Sequence, residues 1–200
     1  MSIFNNKKYN KMTQEELILL AQSNDFSALE ELIKRNQSNV YASFYYLAKD
    51  CQDILDLTQE ALFKMAKNIK RLKDISKFKA WLNQIVTRIF YDHLRRKDKK
   101  IQTIPIDKQE QNENTFCISE VACNKCTPEE KSINTELNCL IEQSIQKLPN
   151  AFKLAIVLRE FQGLSYEEIA EITKTNVGTV KSRIARARSK LQSDLKQYIA

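Results

Sequence analysis

The sequence is poor in the residues that mark turns and in the residue that most often serves acid–base chemistry. Its 200 residues include two glycines, three prolines and one histidine. So few glycines and prolines argue against a turn-rich β-sandwich or barrel and favour helices. Gly163 and Gly178 cannot form either common glycine-rich phosphate loop. The single histidine, His93, argues against a Ser–His–Asp triad or a multi-histidine metal site, so the sequence points away from an enzyme.

Long hydrophobic runs are missing as well. The apolar runs extend over only a few residues, so we expect no membrane insertion. The first sixteen residues, MSIFNNKKYNKMTQEE, contain no apolar core of a secretion signal. We therefore expect a cytoplasmic protein whose five cysteines are reduced thiols.

Positive charge is abundant but is confined to two parts of the chain. The net charge is +7, which suits a polyanionic partner. Residues 64–100 carry 13 basic and 3 acidic side chains, and residues 148–200 carry 9 and 5. Residues 101–147, between them, carry 4 basic and 8 acidic side chains. Two basic blocks separated by an acidic stretch predict two nucleic-acid-facing modules joined by a linker.

The expected architecture is all-α, with two small helical domains joined by a flexible linker. We assign an N-terminal tail to residues 1–12, the first domain to 13–100, the linker to 101–130 and the second domain to 131–200. The linker contains Pro105 and a run rich in Gln, Asn and Glu, without a sustained apolar period.

Apolar residues follow a helical period in the first domain. The strongest stripe recurs at spacings of three and four residues and ends in a basic run. Its members are Phe78, Trp81, Leu82, Ile85, Val86, Ile89 and Phe90. We expect Trp81 in the core rather than as a platform for base stacking. Thr13 and Glu16 form a capping box ahead of an earlier helix, and Asp25 can cap the next one.

The second domain has the pattern of a helix-turn-helix. A helix that begins at Leu148–Pro149 stops around Gly163. Ser165 and Glu168 then form a capping box for a short helix, and a turn follows at residues 174–176. The last helix carries its apolar residues on one side, at Val177, Val180, Ile184, Ala187 and Leu191.

The opposite side of that last helix is basic. At about 100° per residue, Ser182 lies opposite the apolar stripe, and Thr179 and Arg186 lie within about 60° of Ser182. Residues 174–196 carry 7 basic and 1 acidic side chains. This imbalance favours DNA binding over a merely solvated surface, because Arg and Lys can reach guanine edges in the major groove.

These motifs resemble two regions of the bacterial sigma-70 family, in its compact extracytoplasmic-function (ECF) branch. The segment LREFQGLSYEEIAEITKTNVGTVKSRIARARSKL, residues 158–191, resembles region 4. The segment DILDLTQEALFKMAK, residues 53–67, resembles region 2.2, and FKAWLNQIVTRIFYDHLRRKDKK, residues 78–100, resembles regions 2.3 and 2.4. The matches stand in the family's order at about its spacing. No counterpart of region 1.1 or region 3 is seen, which fits the compact branch.

The resemblance implies an alternative sigma factor that binds core RNA polymerase and directs promoter recognition and transcription initiation. It implies core RNA polymerase, promoter DNA and an anti-sigma factor as partners, and no cofactor. It assigns polymerase binding to Asp56, Gln59 and Glu60. It assigns contacts to the −10 element to Arg71, Lys73, Lys77, Arg88, Arg95 and Arg96. It assigns contacts to the −35 element to Thr179, Lys181, Ser182, Arg183 and Arg186, with Thr179 at a phosphate.

Two residues depart from the family pattern. Arg88 stands where relatives often have asparagine, and Ala185 replaces a larger side chain of some relatives. The promoter bases therefore cannot be carried over from the family.

Two other functions remain as alternatives. A stand-alone helix-turn-helix regulator would bind DNA without polymerase, although the region 2.2 match would then serve no purpose. A nucleic-acid-processing enzyme would need a carboxylate cluster beside a basic groove, for which the sequence offers no candidate.

Cysteines cluster in the linker. Cys123 and Cys126 have the spacing of a metal knuckle or a redox pair, and Cys117 lies nearby. A single such pair is a weak signal, so we predict no metal site. A zinc- or thiol-sensing switch built on Cys117, Cys123 and Cys126 is the alternative.

Overall fold

The structure, a computed structural model, describes residues 9–48, 51–102, 138 and 140–199. The secondary structure of these residues is helical and forms two modules, which confirms the expected fold class. The three linker cysteines and nearly all of residues 101–130 lie outside the described residues. Within the described part, no group of three His, Cys, Asp or Glu side chains is placed to hold a metal. None of the helices described there is long and apolar enough to cross a bilayer.

The first module is built from helices that follow one another closely along the chain. They are α1 (Gln14–Gln22), α2 (Phe26–Leu47), α3 (Cys51–Asn68) and α4 (Phe78–Gln102), with 3-10 turns at Ile69–Arg71 and Ile75–Lys77. The predicted capping box begins α1, where the Glu16 amide donates to Thr13 Oγ1 over 3.2 Å. The Thr13 amide donates in return to Glu16 Oε2 over 2.8 Å. Asp25 caps α2, as predicted, by accepting from the amides of Ser27 and Ala28.

The apolar stripe of α4 faces the core. Phe78, Phe90 and the aliphatic residues between them pack with α2 and α3, where Phe44 and Met65 are also fully buried. Trp81 is half-buried against this core, with its ring centroid 5.9 Å from that of Phe78. Burial of each large apolar side chain contributes about 1.5–3 kcal/mol, so this stripe fixes which face of α4 is left to solvent.

The second module also consists of helices. They are α5 (140–146), α6 (Asn150–Ile156), α7 (Tyr166–Thr173) and α8 (Val177–Ile199). A π-helical turn, Val157–Phe161, continues α6, and in it the Gln162 amide donates to the Val157 carbonyl over 3.1 Å. The apolar pattern predicts an ordinary α-helix here, because a single wider turn does not visibly change an apolar spacing of 3.6 residues per turn.

The helices of the helix-turn-helix begin and end at the residues expected from the sequence. Gly163, with a φ of +63°, ends the preceding helix. The capping box at the start of α7 is present, with the Glu168 amide 3.1 Å from Ser165 Oγ and the Ser165 amide 2.7 Å from Glu168 Oε2. Lys174 ends α7 in the left-handed conformation, with a φ of 53°. That conformation brings α8 back across α7.

Replacing Lys174 by glycine is expected to raise the free energy of unfolding by about 0.5–1 kcal/mol, because glycine adopts a positive φ without steric cost. Urea unfolding of the full chain measures this change. The control is Lys190→Gly at an exposed position inside α8, which is expected to lower the stability by about 1 kcal/mol. Equal destabilisation by both substitutions would contradict the assignment of strain to Lys174.

The two modules are in direct contact. The α7 helix packs against α4, and α6 with its π-helical turn packs against α2. The buried apolar residues of both modules join in one cluster. The sequence predicts each module but not this contact between them.

Candidate nucleic-acid and polymerase interfaces

The outer face of α8 is set by the residues on its inner face. Val180, Ile184 and Ala187 are buried where α8 packs against α6 and α7. Ser182 and Arg186 are exposed on the opposite side, as the helical period predicts. A helix supported in this way by a second helix can enter a major groove with its outer residues towards the base edges.

The start of α8 is capped by a residue that the sequence analysis did not single out. Asn176 Oδ1 accepts the backbone N–H of Thr179 over 2.7 Å. The Ser182 hydroxyl donates to the Thr179 carbonyl over 2.9 Å. The Thr179 amide is therefore already used, which leaves the hydroxyl of this half-buried residue for a phosphate contact.

Basic side chains on the flank of α8 are arranged around Tyr166. Lys181 is exposed, and its Nζ lies 5.7 Å from the centroid of the Tyr166 ring. Arg159 approaches the same ring to 4.6 Å and donates to the Leu164 carbonyl over 2.7 Å. Arg183 is half-buried. We call the outer face of α8 that carries Ser182 and Arg186 the reading face. Lys181 lies beside the Tyr166 ring at the edge of this face, a position that favours contact with a phosphate over contact with a base edge.

Arg188 is tied to the π-helical turn and not directed to the reading face. Its Nε and Nη2 atoms donate to Glu160 Oε1 over 3.0 and 2.5 Å. The hydrogen bonding of Arg188 to this carboxylate, which accepts, raises the pKa of Arg188. The pair joins α8 to the turn, so Arg188 is a structural cation.

The loop between α3 and α4 presents the first group of expected −10 contacts. Arg71, Lys73 and Lys77 are all exposed. The Gln22 side chain holds the loop to α1 by donating to the carbonyls of Ile69 and Leu72 over 3.0 and 2.8 Å. The loop therefore displays its cations from a fixed backbone.

One acidic residue lies among these cations. Asp74 Oδ1 accepts from the Ser76 hydroxyl over 2.6 Å and from the Ser76 amide over 3.1 Å. These bonds, the hydroxyl contact first, lower the pKa of Asp74. Its carboxylate caps the second 3-10 turn, which ends at Lys77.

The second group of expected −10 contacts lies along α4. Arg88, Arg95 and Arg96 are exposed. Arg88 and Arg95 are seven residues apart, so they share a face and are separated by about 10 Å along the axis. Arg95 forms an ion pair with Asp92 one turn earlier. Arg88 and Arg95 therefore form a row of two guanidinium groups on one face of α4. Arg96 lies about 100° further round the helix and, along its axis, past the buried Phe90.

The expected polymerase-binding residues lie together on α3. Asp56 and Gln59 are exposed, and Glu60 is half-buried. Glu60 Oε1 lies 2.7 Å from Lys64 Nζ. Asp53, on the same polar side in the sequence, is instead turned towards α4, with its Oδ2 3.0 Å from Lys97 Nζ.

Two apolar residues on this face were missed by the sequence analysis. Leu55 is 49% exposed and Phe63 is 67% exposed. They stand four residues before and after Gln59, so the three side chains follow one another along a single ridge of α3. The sequence does contain a sign of this ridge: Leu55, Gln59 and Phe63 follow one another at intervals of four residues on the otherwise polar side of α3. A ridge of this composition suits a protein partner better than solvent.

Comparison with known proteins places both modules in one family. Residues 32–100 match the family model for Sigma-70 region 2, and residues 140–191 match that for Sigma-70, region 4. The chain is 32% identical to the ECF RNA polymerase sigma-E factor of Haemophilus influenzae over 186 residues, covering 92% of this chain and 96% of that protein. It is 29% identical to the RNA polymerase sigma-H factor of Pseudomonas aeruginosa over 193 residues, covering 94% and 98%. The fold is similar to that of the sigma factor RpoE from Bartonella quintana, solved with the anti-sigma factor NepR, at a TM-score of 0.63 and 24% identity over 84% and 96% of the chains.

Proposed function

Since the chain belongs to the sigma-70 family of RNA polymerase sigma factors, in its ECF branch, we propose that it binds core polymerase through α3 and reads promoters with α4 and α8. One observation carries the proposal. A single chain presents a basic reading face on a helix-turn-helix and a separate ridge for a protein partner. A regulator that binds DNA alone has no use for the second surface.

The α3 ridge and the acidic residues beside it supply the polymerase contact in this proposal. Asp56, Gln59 and Glu60 set the orientation on a basic partner surface, because complementary charge gives specificity and association rate more than affinity. Leu55 and Phe63 supply the apolar area that affinity requires.

Promoter recognition is divided between the modules. Ser182, Arg183 and Arg186 read base edges of the −35 element, while Thr179 and Lys181 hold its phosphates. The loop cations Arg71, Lys73 and Lys77 and the α4 cations Arg88, Arg95 and Arg96 bind the −10 element.

The proposed protein opens the duplex because it binds melted, single-stranded DNA more tightly than double-stranded DNA. A sigma factor that holds unstacked bases and the single-strand backbone stabilises melted DNA, so opening needs no bond to be made or broken. Arg88 lies where the family often has asparagine, and its exposed guanidinium adds a cation to this surface. We therefore propose a −10 preference, or an added backbone contact, that differs from that of such relatives.

The setting and partners follow from the same proposal. We propose that the protein acts in the cytoplasm, where core polymerase and promoter DNA are found, as an initiation factor and not an enzyme. We also propose that an anti-sigma factor holds it inactive, which is supported by the presence of the anti-sigma factor NepR in the structure of the similar sigma factor RpoE.

Run-off transcription and permanganate footprinting test the function together. With core polymerase, the full chain is expected to initiate at a subset of genomic fragments and make −10 thymines reactive. Neutralising Arg95 and Arg96 to alanine is expected to reduce that reactivity severalfold with little change in core affinity, because backbone cations are lost.

A matched control is Lys11→Ala with Lys34→Ala, which removes two exposed cations from outside the expected DNA surface. DNA binding without any polymerase-dependent transcript would support the stand-alone regulator instead. Unchanged thymine reactivity in the Arg95 and Arg96 variant would remove these residues from the −10 surface.

A further inference from the structure

The corner between α1 and α2 is bonded to the first 3-10 turn of the loop between α3 and α4. We call residues 69–77 the −10 loop. The Gln22 amide nitrogen donates to the carbonyls of Ile69 and Leu72 over 3.0 and 2.8 Å, and Asn24 Oδ1 accepts from Lys70 Nζ. A primary amide has two N–H groups, so this nitrogen has no N–H left for DNA. What the corner can give to a DNA site is therefore the position of the loop backbone.

The two carbonyls that Gln22 binds lie on either side of an expected DNA-binding cation. Arg71 lies between Ile69 and Leu72 in the chain, and Lys73 follows Leu72 directly. Ile69 and Leu72 are buried, whereas Arg71 and Lys73 are exposed. The turn has its apolar side chains in the core and its carbonyls bonded to Gln22, so the backbone that carries both cations is fixed from two directions.

The corner is itself held by the segment that precedes α1. The Tyr9 hydroxyl donates to Asp25 Oδ2 over 2.9 Å, while Asp25 Oδ1 accepts from the first amides of α2. The bond to Asp25 raises the pKa of Tyr9, so the hydroxyl keeps the proton that it donates. Arg35 of α2 donates to the carbonyls of Met12 and Tyr9, each over 2.7 Å. Tyr9 is therefore fixed to the start of α2, and its hydroxyl bonds to the residue three positions after Gln22.

We propose that Gln22 is a positioning residue for the −10 element, and that Tyr9, through Asp25, supports the corner that carries Gln22. This inference rests on the function proposed above. A loop that is already ordered binds DNA without first losing conformational freedom. Without the Gln22 amide, water can replace it at the two carbonyls of this surface loop at small net cost. The chain then still folds, but the DNA has to order the loop.

A positioning residue and a phosphate-binding residue change DNA binding in different ways. Loss of Arg71 or Lys73 removes a phosphate contact, so the salt slope for a single strand falls by about 0.7 for each cation. Loss of Gln22 removes no cation, so the affinity falls by the same factor at every salt concentration and the slope is unchanged. A general loss of stability changes neither quantity at a temperature where the chain remains folded.

Binding of a −10 strand to the holoenzyme tests the proposal. The probe is a fluorescent single-stranded oligonucleotide with the −10 sequence of a promoter found by run-off transcription, titrated at two salt concentrations. Gln22→Ala is expected to weaken binding about 5- to 30-fold with an unchanged salt slope. Tyr9→Phe, which keeps the ring, is expected to weaken it about 2- to 5-fold. Affinities for core polymerase and for a −35 duplex are expected to stay unchanged, since the α3 ridge and α8 are untouched.

The matched controls lie on α2, outside the corner. Gln37→Ala removes an exposed glutamine side chain, and Tyr41→Phe removes the hydroxyl of a half-buried tyrosine. Both are expected to bind the strand as the wild type does. A Gln22→Ala variant that binds as tightly as Gln37→Ala would overturn the inference, and so would a lower salt slope in Gln22→Ala. Equal binding by Tyr9→Phe and Tyr41→Phe would overturn the part that extends to Tyr9.

Hydrogen exchange in the free full chain gives a measurement that needs neither DNA nor polymerase. The Leu72 amide donates to the Ile69 carbonyl over 3.1 Å within the turn that Gln22 holds. In Gln22→Ala this amide is expected to exchange about 5- to 30-fold faster, while the Val180 amide of α8 exchanges as in the wild type. Exchange at Leu72 no faster than in Gln37→Ala would overturn the inference.

A variant with Arg71→Ala and Lys73→Ala separates failure of this inference from failure of the proposed function. It is expected to weaken binding of the −10 strand at least tenfold and to lower the salt slope. If it does so while Gln22→Ala binds normally, the loop contacts DNA but Gln22 does not position it. If the cation variant binds as the wild type does, the loop is not a −10 surface, and the assignment of the loop and the inference are both wrong.

Discussion

Arg186→Ala is expected to weaken binding to the preferred −35 duplex by about 5- to 150-fold, or about 1–3 kcal/mol, and to flatten discrimination at one or two base pairs. The guanidinium is exposed on the outer face of α8, and the burial of Val180, Ile184 and Ala187 prevents the helix from turning it aside. A fork of donors in this position can bind the two acceptors of a guanine edge. The measurement is titration of a library of −35 duplexes at two salt concentrations.

Lys181→Ala is the matched comparison on the same helix. Because Lys181 lies beside the Tyr166 ring at the flank, its loss is expected to weaken all duplexes alike and to lower the salt slope by about one unit. Arg188→Ala serves as a control for charge alone, since Arg188 is held by Glu160. A uniform loss of affinity in Arg186→Ala, with intact discrimination, would mean that the reading face lies elsewhere around the helix axis.

Changes on the α3 ridge and at the acidic residues beside it are expected to weaken core polymerase binding by about 10- to 100-fold, by two different routes. Asp56→Lys with Glu60→Lys reverses charge on an exposed surface, so association slows and the salt dependence changes. Phe63→Ala removes an aromatic side chain that is 67% exposed, so dissociation accelerates with little salt dependence. Association and dissociation rates with core polymerase, measured at two salt concentrations, separate the two effects.

Each α3 variant has a matched control on α1 or α2. Glu15→Lys with Glu30→Lys makes the same change of charge at two exposed positions, and Leu19→Ala removes a side chain that is 52% exposed. Both are expected to leave core binding unchanged. All variants should keep their affinity for a −35 duplex, since α8 is untouched. Core binding at wild-type rates in both α3 variants would remove the ridge from the polymerase interface.

The parts of the fold that the sequence predicted are governed by local signals. The capping boxes at Thr13 and Ser165 need only residues three apart, and the α4 and α8 stripes need only a helical period. The exposed sides of those helices then follow, which is why Ser182, Arg186 and Arg88 are exposed as expected. The sequence was enough to predict the exposed faces of α4 and α8, because each of these helices buries its own apolar stripe.

The parts that the sequence did not predict depend on distant partners. Gln146 and Gln162 bond to backbone groups about 100 or more residues away along the chain, and a backbone carbonyl has no residue signature. Asp53 has the same sequence character as Asp56, yet Lys97 from α4 binds only the former. Phe63 and Leu55 were overlooked because an isolated apolar residue on a polar face is common. The candidate DNA contacts could thus be proposed from the sequence, whereas the joining of the modules required the fold.

The π-helical turn at Val157–Phe161 makes the contact between the two modules sensitive to the number of residues in the second module. Its wider turn holds one residue more than a regular helical turn, and it delivers Phe161 and Gln162 to α2. Loss of a single codon there would rotate both side chains by about 100°, while the capping box of α7 would keep the DNA-reading helices folded. Deletion of one residue at this turn is therefore expected to change the contact between the modules while the helix-turn-helix stays folded, so the length of the turn and the residue at position 162 are constrained together.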